Sequence, residues 1–239
     1  MKIHYSSNIR SKAILLGCSV EDVSESTFVL IGKEFGVVVN DNSKTLQKFN
    51  KVIISKNREF IVTDNNGLLG LLNKDGELLA SNSYDMISIA DGIAGLYSNG
   101  CMTTITSSGF ILPKNYAILS SVFRYTDNNI TRYLIIVKSN AMKKSVILLQ
   151  NKNIVYEENY VNVEYTELFD YNLIYSKRDM GVEENIALNI KTLDKYKCEL
   201  IKRRESGINR FYIKRAISGK EHMVDSIIQP IKFEIIGGV

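Results

Sequence analysis

The side chains able to do chemistry are few and scattered. The histidines are His4 and His222. Two isolated histidines do not define a shared site, and acid–base work by His222 would need a carboxylate beside it in a cleft. Cys18, Cys101 and Cys198 are far apart, odd in number and without C-x-x-C spacing. That pattern argues against a zinc site and against a disulfide framework, and for reduced thiols packed among strands. The acid pairs Glu157-Glu158 and Glu183-Glu184 are adjacent residues, which point to opposite faces of a strand, so neither pair makes a two-carboxylate site. Asn40-Asp41-Asn42-Ser43 and Asp64-Asn65-Asn66-Gly67 are rich in oxygen but lack the full calcium-loop spacing, and turn chemistry explains them. Phosphate-cradling glycine loops, the G-x-S-x-G elbow and H-E-x-x-H are missing from the sequence. No catalytic residue, cofactor or metal ligand is therefore expected, and the chain is read as a non-enzyme. A propeller-type site gathered from separate strands would leave no local motif.

Charge is the more usable signal. The net charge of +4 is too small by itself to imply a nucleic-acid partner. Its distribution is uneven. Acids dominate 157–185, with Glu157, Glu158, Glu164, Glu167, Asp170, Asp179, Glu183 and Glu184. Bases dominate 191–220, with Lys191, Lys195, Lys197, Lys202, Arg203, Arg204, Arg210, Lys214, Arg215 and Lys220. Lys202, Arg203, Arg204, Arg210 and Tyr212 are the candidate interaction residues. Three readings follow: two solvated faces that neutralise each other, self-association of a basic sector on a neighbour's acidic sector, and phosphate contacts to nucleic acid. A protein partner is favoured over nucleic acid.

The elements that would position these residues read as strands. Apolar runs such as Phe28–Ile31, Leu68–Leu72, Tyr133–Val137, Val146–Leu149 and Phe211–Ile213 are short and bounded by turn residues. Lys74-Asp75-Gly76 is a hairpin signal between Leu72 and Leu78. An apolar strand, a turn, an apolar return and an aromatic residue follow one another in several units. The aromatic markers are Phe49, Tyr84, Tyr116, Tyr160, Tyr196 and Phe233, roughly 32 to 44 residues apart, a spacing typical of solenoids and propellers. In 191–204, Leu193, Tyr196, Leu200 and Ile201 have helical spacing while Tyr196, Cys198 and Leu200 alternate as in a strand; the repeat register favours the strand.

The stretch Gly67 to Ile87, G-L-L-G-L-L-N-K-D-G-E-L-L followed by Y-D-M-I, resembles the WG-repeat (tryptophan–glycine repeat) family. Gly70, Asp75-Gly76 and Tyr84-Asp85-Met86-Ile87 carry the likeness, with partial echoes at Phe35-Gly36, Phe49, Ile111 to Tyr116 and Ile227 to Ile235. The chain has no Trp; Leu69 and Phe35 hold that position. The resemblance implies repeated small β-sheets and an interaction role, with no shared catalytic residues.

The expected fold is all-β: repeated short antiparallel meanders in a β-propeller-like arrangement of five or six small blades. Residues 1–239 are read as a single repeat domain, with repeats over about 28–236 and strands in 3–23 closing the ring. The expected function is a non-enzymatic protein-interaction scaffold. The alternatives are a structural subunit of a phage tail or other large assembly, and a propeller enzyme or glycan-binding protein with a central-channel site. Without an apolar signal core or a bilayer-length apolar run, the expected location is the cytoplasm, or a virion or other particle assembled there.

Overall fold

The computed structural model describes residues 3–112, 118–128, 130–138, 144–150, 153–159, 163–169, 171–179, 182–224 and 227–237. The fold is all-β, with one helix among the described residues. The chain divides into two compact units, residues 1–115 with 232–239, and residues 116–231.

Unit 1 opens with helix α1 (Ile3–Leu15). Strands β1 (Ser19–Asp22), β2 (Thr27–Ile31), β3 (Gly36–Asn40) and β4 (Thr45–Phe49) form a first antiparallel meander. Strands β5 (Lys51–Ile54), β6 (Phe60–Asn65), β7 (Leu68–Asn73) and β8 (Leu78–Tyr84) form a second. Strands β9 (Met86–Ala90), β10 (Ile93–Ser98) and β11 (Cys101–Thr106) begin a third. In unit 2, β12 (Ile118–Asp127), β13 (Ile130–Lys138), β14 (Lys144–Gln150) and β15 (Asn153–Asn159) make the fourth sheet. The fifth has seven strands: β16 (Val163–Phe169), β17 (Asn172–Asp179), β18 (Val182–Asn189), β19 (Lys195–Glu205), β20 (Ile208–Arg215), β21 (Glu221–Val224) and β22 (Ile227–Ile228). The last strand, β23 (Glu234–Gly237), returns to unit 1 and pairs with β9, completing the third sheet.

Alternation explains why these runs are strands buried on both faces. In Thr27–Ile31, Val29 and its sheet neighbour Val38 point to the second sheet, where they meet Val52, Ile61 and Leu72. Phe28 and Leu30 point the other way, into a cluster with Val39 and Ala13 of α1. The second sheet repeats the arrangement: its opposite face, Phe60, Val62, Leu69 and Leu71, packs on Ile87, Ile89, Ala94 and Leu96 of the third. In unit 2, Leu134, Ile136, Val146 and Leu148 of the fourth sheet pack on Leu173, Tyr175, Ile186 and Leu188 of the fifth. Each such side chain contributes about 1.5–3 kcal/mol when it leaves water.

The Asp75-Gly76 turn is held by the neighbouring sheet. The Asn40 amide donates to the Asp75 carbonyl. The Gln47 amide donates to the Gly76 carbonyl at 3.1 Å. The repeated glycines also have a packing reason: a Cβ on Gly36 would lie 2.4 Å from Val52, and one on Gly70 would lie 2.8 Å from Thr63 Oγ1.

Four sequence expectations change. Residues 3–15 are helix rather than strand. Ile9 and Ala13, one turn apart, face the first sheet. Gly17 at φ 75° ends the helix, with the Cys18 amide bonded to the Ala13 carbonyl and the Gly17 amide to the Ile14 carbonyl. The second concerns what residues 3–23 contribute: one strand, β1, which edges the first sheet beside β2, and α1 on that sheet's outer face. Third, the fifth and sixth sequence units merge, because β19 pairs with β18 over its first residues and with β20 from Cys198 onward. Fourth, Ile227 to Ile235 is not one return-and-close segment: β22 pairs with β16 and β23 with β9. Phe49 and Tyr84 do hold equivalent places, each ending the fourth strand of its meander. Tyr196 instead begins β19, Phe233 precedes β23, and Tyr116 and Tyr160 lie outside the described residues.

Phe28 is buried between α1 and the first sheet, with the Arg10 guanidinium 4.1 Å from its ring centroid. Phe28→Ala should therefore cost about 3–5 kcal/mol in a urea titration. An unchanged midpoint would mean that the helix does not cover this face.

Candidate functional site

Segment 191–204 is a turn followed by strand, so the alternating reading of Tyr196, Cys198 and Leu200 is the correct one. Ser206 and Gly207, both at positive φ, form the two-residue turn that joins β19 to β20. This turn sets Arg203 opposite Arg210, Ile201 opposite Tyr212 and Lys202 opposite Phe211. β21 lies on the far side of β20, with Met223 opposite Tyr212 and Glu221 opposite Lys214.

The pleat divides the candidate residues. Arg203, Arg210 and Tyr212 share one face with Glu199, Ile201, Glu205, Ile208, Lys214, Glu221 and Met223. Lys202 and Arg204 point to the other face, where Cys198, Ile213 and Val224 are buried and Leu200 and Phe211 are half-buried. The structure thus brings three of the five together and separates two. Lys202 Nζ lies 5.7 Å from the Phe211 ring centroid. Arg204 has no ion-pair partner among the described residues.

The shared face is balanced in charge. Arg203 bonds Glu221 at 2.8 Å and stacks 4.8 Å from the Tyr212 ring centroid. The Tyr212 hydroxyl donates to Glu205 at 2.6 Å, and Arg210 approaches the same carboxylate at 3.5 Å. Lys214 faces Glu199 at 4.0 Å, and Lys197 pairs with Glu184. The two arginines set directly opposite would repel; the flanking glutamates remove that cost. The hydrogen bond to Glu205, then partial burial, raises the Tyr212 phenol above its ordinary value. The Glu221 hydrogen bond raises Arg203. Exposed apolar groups sit among these pairs: Ile208 is 63% exposed and Met223 43%. Glu205, Glu221, Ile208 and Met223 were missed from sequence; counting outward from Ser206-Gly207 reaches Glu205 and Ile208, while Glu221 and Met223 come from β21 beyond the next turn.

The remaining expectations distribute as follows. Of the acidic sector, Glu184 pairs with Lys197 and Glu157 is exposed on β15. The side chains of Glu158, Glu164, Glu167, Asp170, Asp179 and Glu183 lie outside those described. The His4 side chain does too. His222 lies on the Ile213 face, opposite to Arg203 and Tyr212. No group of three or more His, Cys, Asp or Glu able to hold a metal occurs among the described residues. Unit 1 carries a cleft of about 490 Å³ lined by Val23, Ser24, Glu25, Ser26, Asn42, Lys74 and Asp75. No described helix is long and apolar enough to cross a membrane.

No family model matches the chain, and no curated protein matches it. Three solved structures show a loose likeness of fold. A crystal structure of the eukaryotic initiation factor is 10% identical over 90% of this chain and 65% of its own, with a TM-score of 0.33. The WD40 domain of SCAP from fission yeast is 10% identical over 93% of this chain and 74% of its own, with a TM-score of 0.30. The complex of the fission yeast SREBP–SCAP binding domains is 13% identical over 85% and 70%, with a TM-score of 0.28. The chain spans less than two thirds of the first of these.

The cysteines differ in environment. Cys198 is buried in the fifth sheet, and burial pushes its thiol up to about 11, whereas Cys101 is exposed. At pH 8 a thiol reagent should modify Cys101 at least ~10-fold faster than Cys198. Unfolding adds a pH term. A thiol at its ordinary 9.0 in the unfolded chain and about 11 in the folded one supports the fold fully below pH 9. That support is lost as pH rises from about 9 to 11, so the melting temperature of the wild type should fall there more than that of Cys198→Ala. Equal slopes would contradict the assignment.

Proposed function

We propose that the chain is a non-enzymatic protein-interaction scaffold, and that the exposed face of β19–β21 is its docking surface. One observation carries the reading: Arg203, Arg210, Tyr212, Met223 and Ile208 stand on one solvent-facing sheet surface. Arginine, aromatic residues and methionine are enriched in protein interfaces, and buried Tyr and Arg supply much of their energy. The face is mixed in charge and already internally paired. A protein surface of alternating charge fits it better than a phosphate backbone, which would have to displace Glu221 and Glu205. Repeated meanders of a WG-like kind are the frame that holds this face rigid.

The test places a photo-crosslinking amino acid at Ile208 and exposes the protein to extract from its own source. One discrete protein adduct is expected. Arg203→Glu with Tyr212→Ala should remove it while leaving the far-ultraviolet circular dichroism unchanged. An adduct pattern identical in both proteins, or none in either, would sink the reading.

A further inference from the structure

β19 is paired along only part of one side. Ser206 at φ 50° and Gly207 at φ 82° form the two-residue turn of a twisted hairpin, so Glu205 and Ile208 exchange both backbone hydrogen bonds. Alternation then turns the N–H and C=O of Arg203, Ile201 and Glu199 toward β20 as well. The Lys197 carbonyl, in the same phase, accepts the Ala216 amide at 3.0 Å. The N–H and C=O of Leu200, Lys202 and Arg204 therefore point to the opposite edge. β18 covers that edge only as far as the Asn185–Cys198 pair, although β18 itself begins at Val182. From Glu199 to Glu205 no strand among the described residues pairs with it.

The side chains along this edge are basic. Lys202 and Arg204 are exposed on one face, and Arg204 has no ion-pair partner among the described residues. Arg203 is exposed on the other face and is held by Glu221. Nearer β18, Leu200 and Ile201 are half-buried, one on each face. An unpaired strand edge is a template for another strand. Two such edges from copies of this chain would bring Lys202 and Arg204 near their like, which disfavours pairing of β19 with β19. An acidic strand would meet opposite charge at the same positions.

We propose that the free edge of β19 binds an extended acidic segment of a partner protein as an added antiparallel strand. From its N-terminus, the segment has an acid opposite Arg204, any residue opposite Arg203, an acid opposite Lys202, and apolar residues opposite Ile201 and Leu200. Main-chain hydrogen bonds to Leu200, Lys202 and Arg204 supply the binding, and the two acids supply the selection. This mode rests on the scaffold reading and gives the partner its chemistry, but it uses the strand edge rather than the Tyr212 face.

The test adds a synthetic peptide, acetyl-T-D-T-D-V-V-T-amide, to the isotope-labelled full chain at about 0.15 M salt and follows amide hydrogen exchange by nuclear magnetic resonance. In the free protein, the Ile201 and Arg203 amides are protected and those of Leu200, Lys202 and Arg204 exchange freely. The peptide should slow the latter by at least ~10-fold. A peptide N-methylated at its second Asp, the residue opposite Lys202, should give no such protection. Neither should the unmodified peptide on Lys202→Glu/Arg204→Glu, whose melting temperature should match the wild type. No protection by the acidic peptide overturns the proposal. So does equal protection by the N-methylated one, which would mean contact through charge alone. Protection that grows with protein concentration in the absence of peptide would assign the edge to a second copy and also overturn it. Crosslinking at Ile208 reads the sheet face and this measurement reads the edge, so either can fail without the other.

Discussion

The structure depends on apolar contact between successive antiparallel sheets. A four-stranded meander such as β5–β8 has two apolar faces and no means of burying either by itself. Ile61 and Leu72 need the first sheet, while Phe60, Val62 and Leu71 need the third. The same constraint explains α1. The outer face of the first sheet, with Phe28, Leu30 and Val39, would lie open without Ile9 and Ala13 against it. Polar contacts refine what the apolar faces set. Asn40 and Gln47 reach the carbonyls of Asp75 and Gly76, so the tip of one hairpin is fixed by the sheet before it.

The candidate surface is oriented by apolar contact within the fifth sheet, where Ile174, Ala187, Cys198, Ile213 and Val224 form one buried cluster. One face of β19–β21 buries Cys198, Ile213 and Val224, and that burial orients the other face outward. Arg203, Tyr212, Glu205 and Glu221 are then held in register by backbone pairing rather than by their own weak ion pairs.

Much of the architecture was legible in the sequence, because strands need only local alternation and turn residues to announce themselves. Asp75-Gly76 and the runs around it gave the second meander nearly residue by residue. The helix was not legible: Ile9 and Ala13 make a thin apolar stripe, and Leu-Leu-Gly reads as a strand end as readily as a helix cap. Partnership between distant strands was also hidden, since nothing local in Glu234–Gly237 says that it belongs beside β9. At the candidate site, the run Lys202-Arg203-Arg204 suggested one basic patch. The pleat sends its members to opposite faces, and the balancing glutamates come from the turn and from β21. Composition locates charge along the chain; only register says which charges meet.

Native-state hydrogen exchange on Val38→Ala tests the central claim most directly. Val38 is a first-sheet residue buried against Val52, Ile61 and Leu72 of the second. If stability is shared across sheet contacts, amides in β6 and β7 will lose protection together with those in β2 and β3. Loss of protection confined to β2 and β3 would show that each meander stands alone, and would contradict the account.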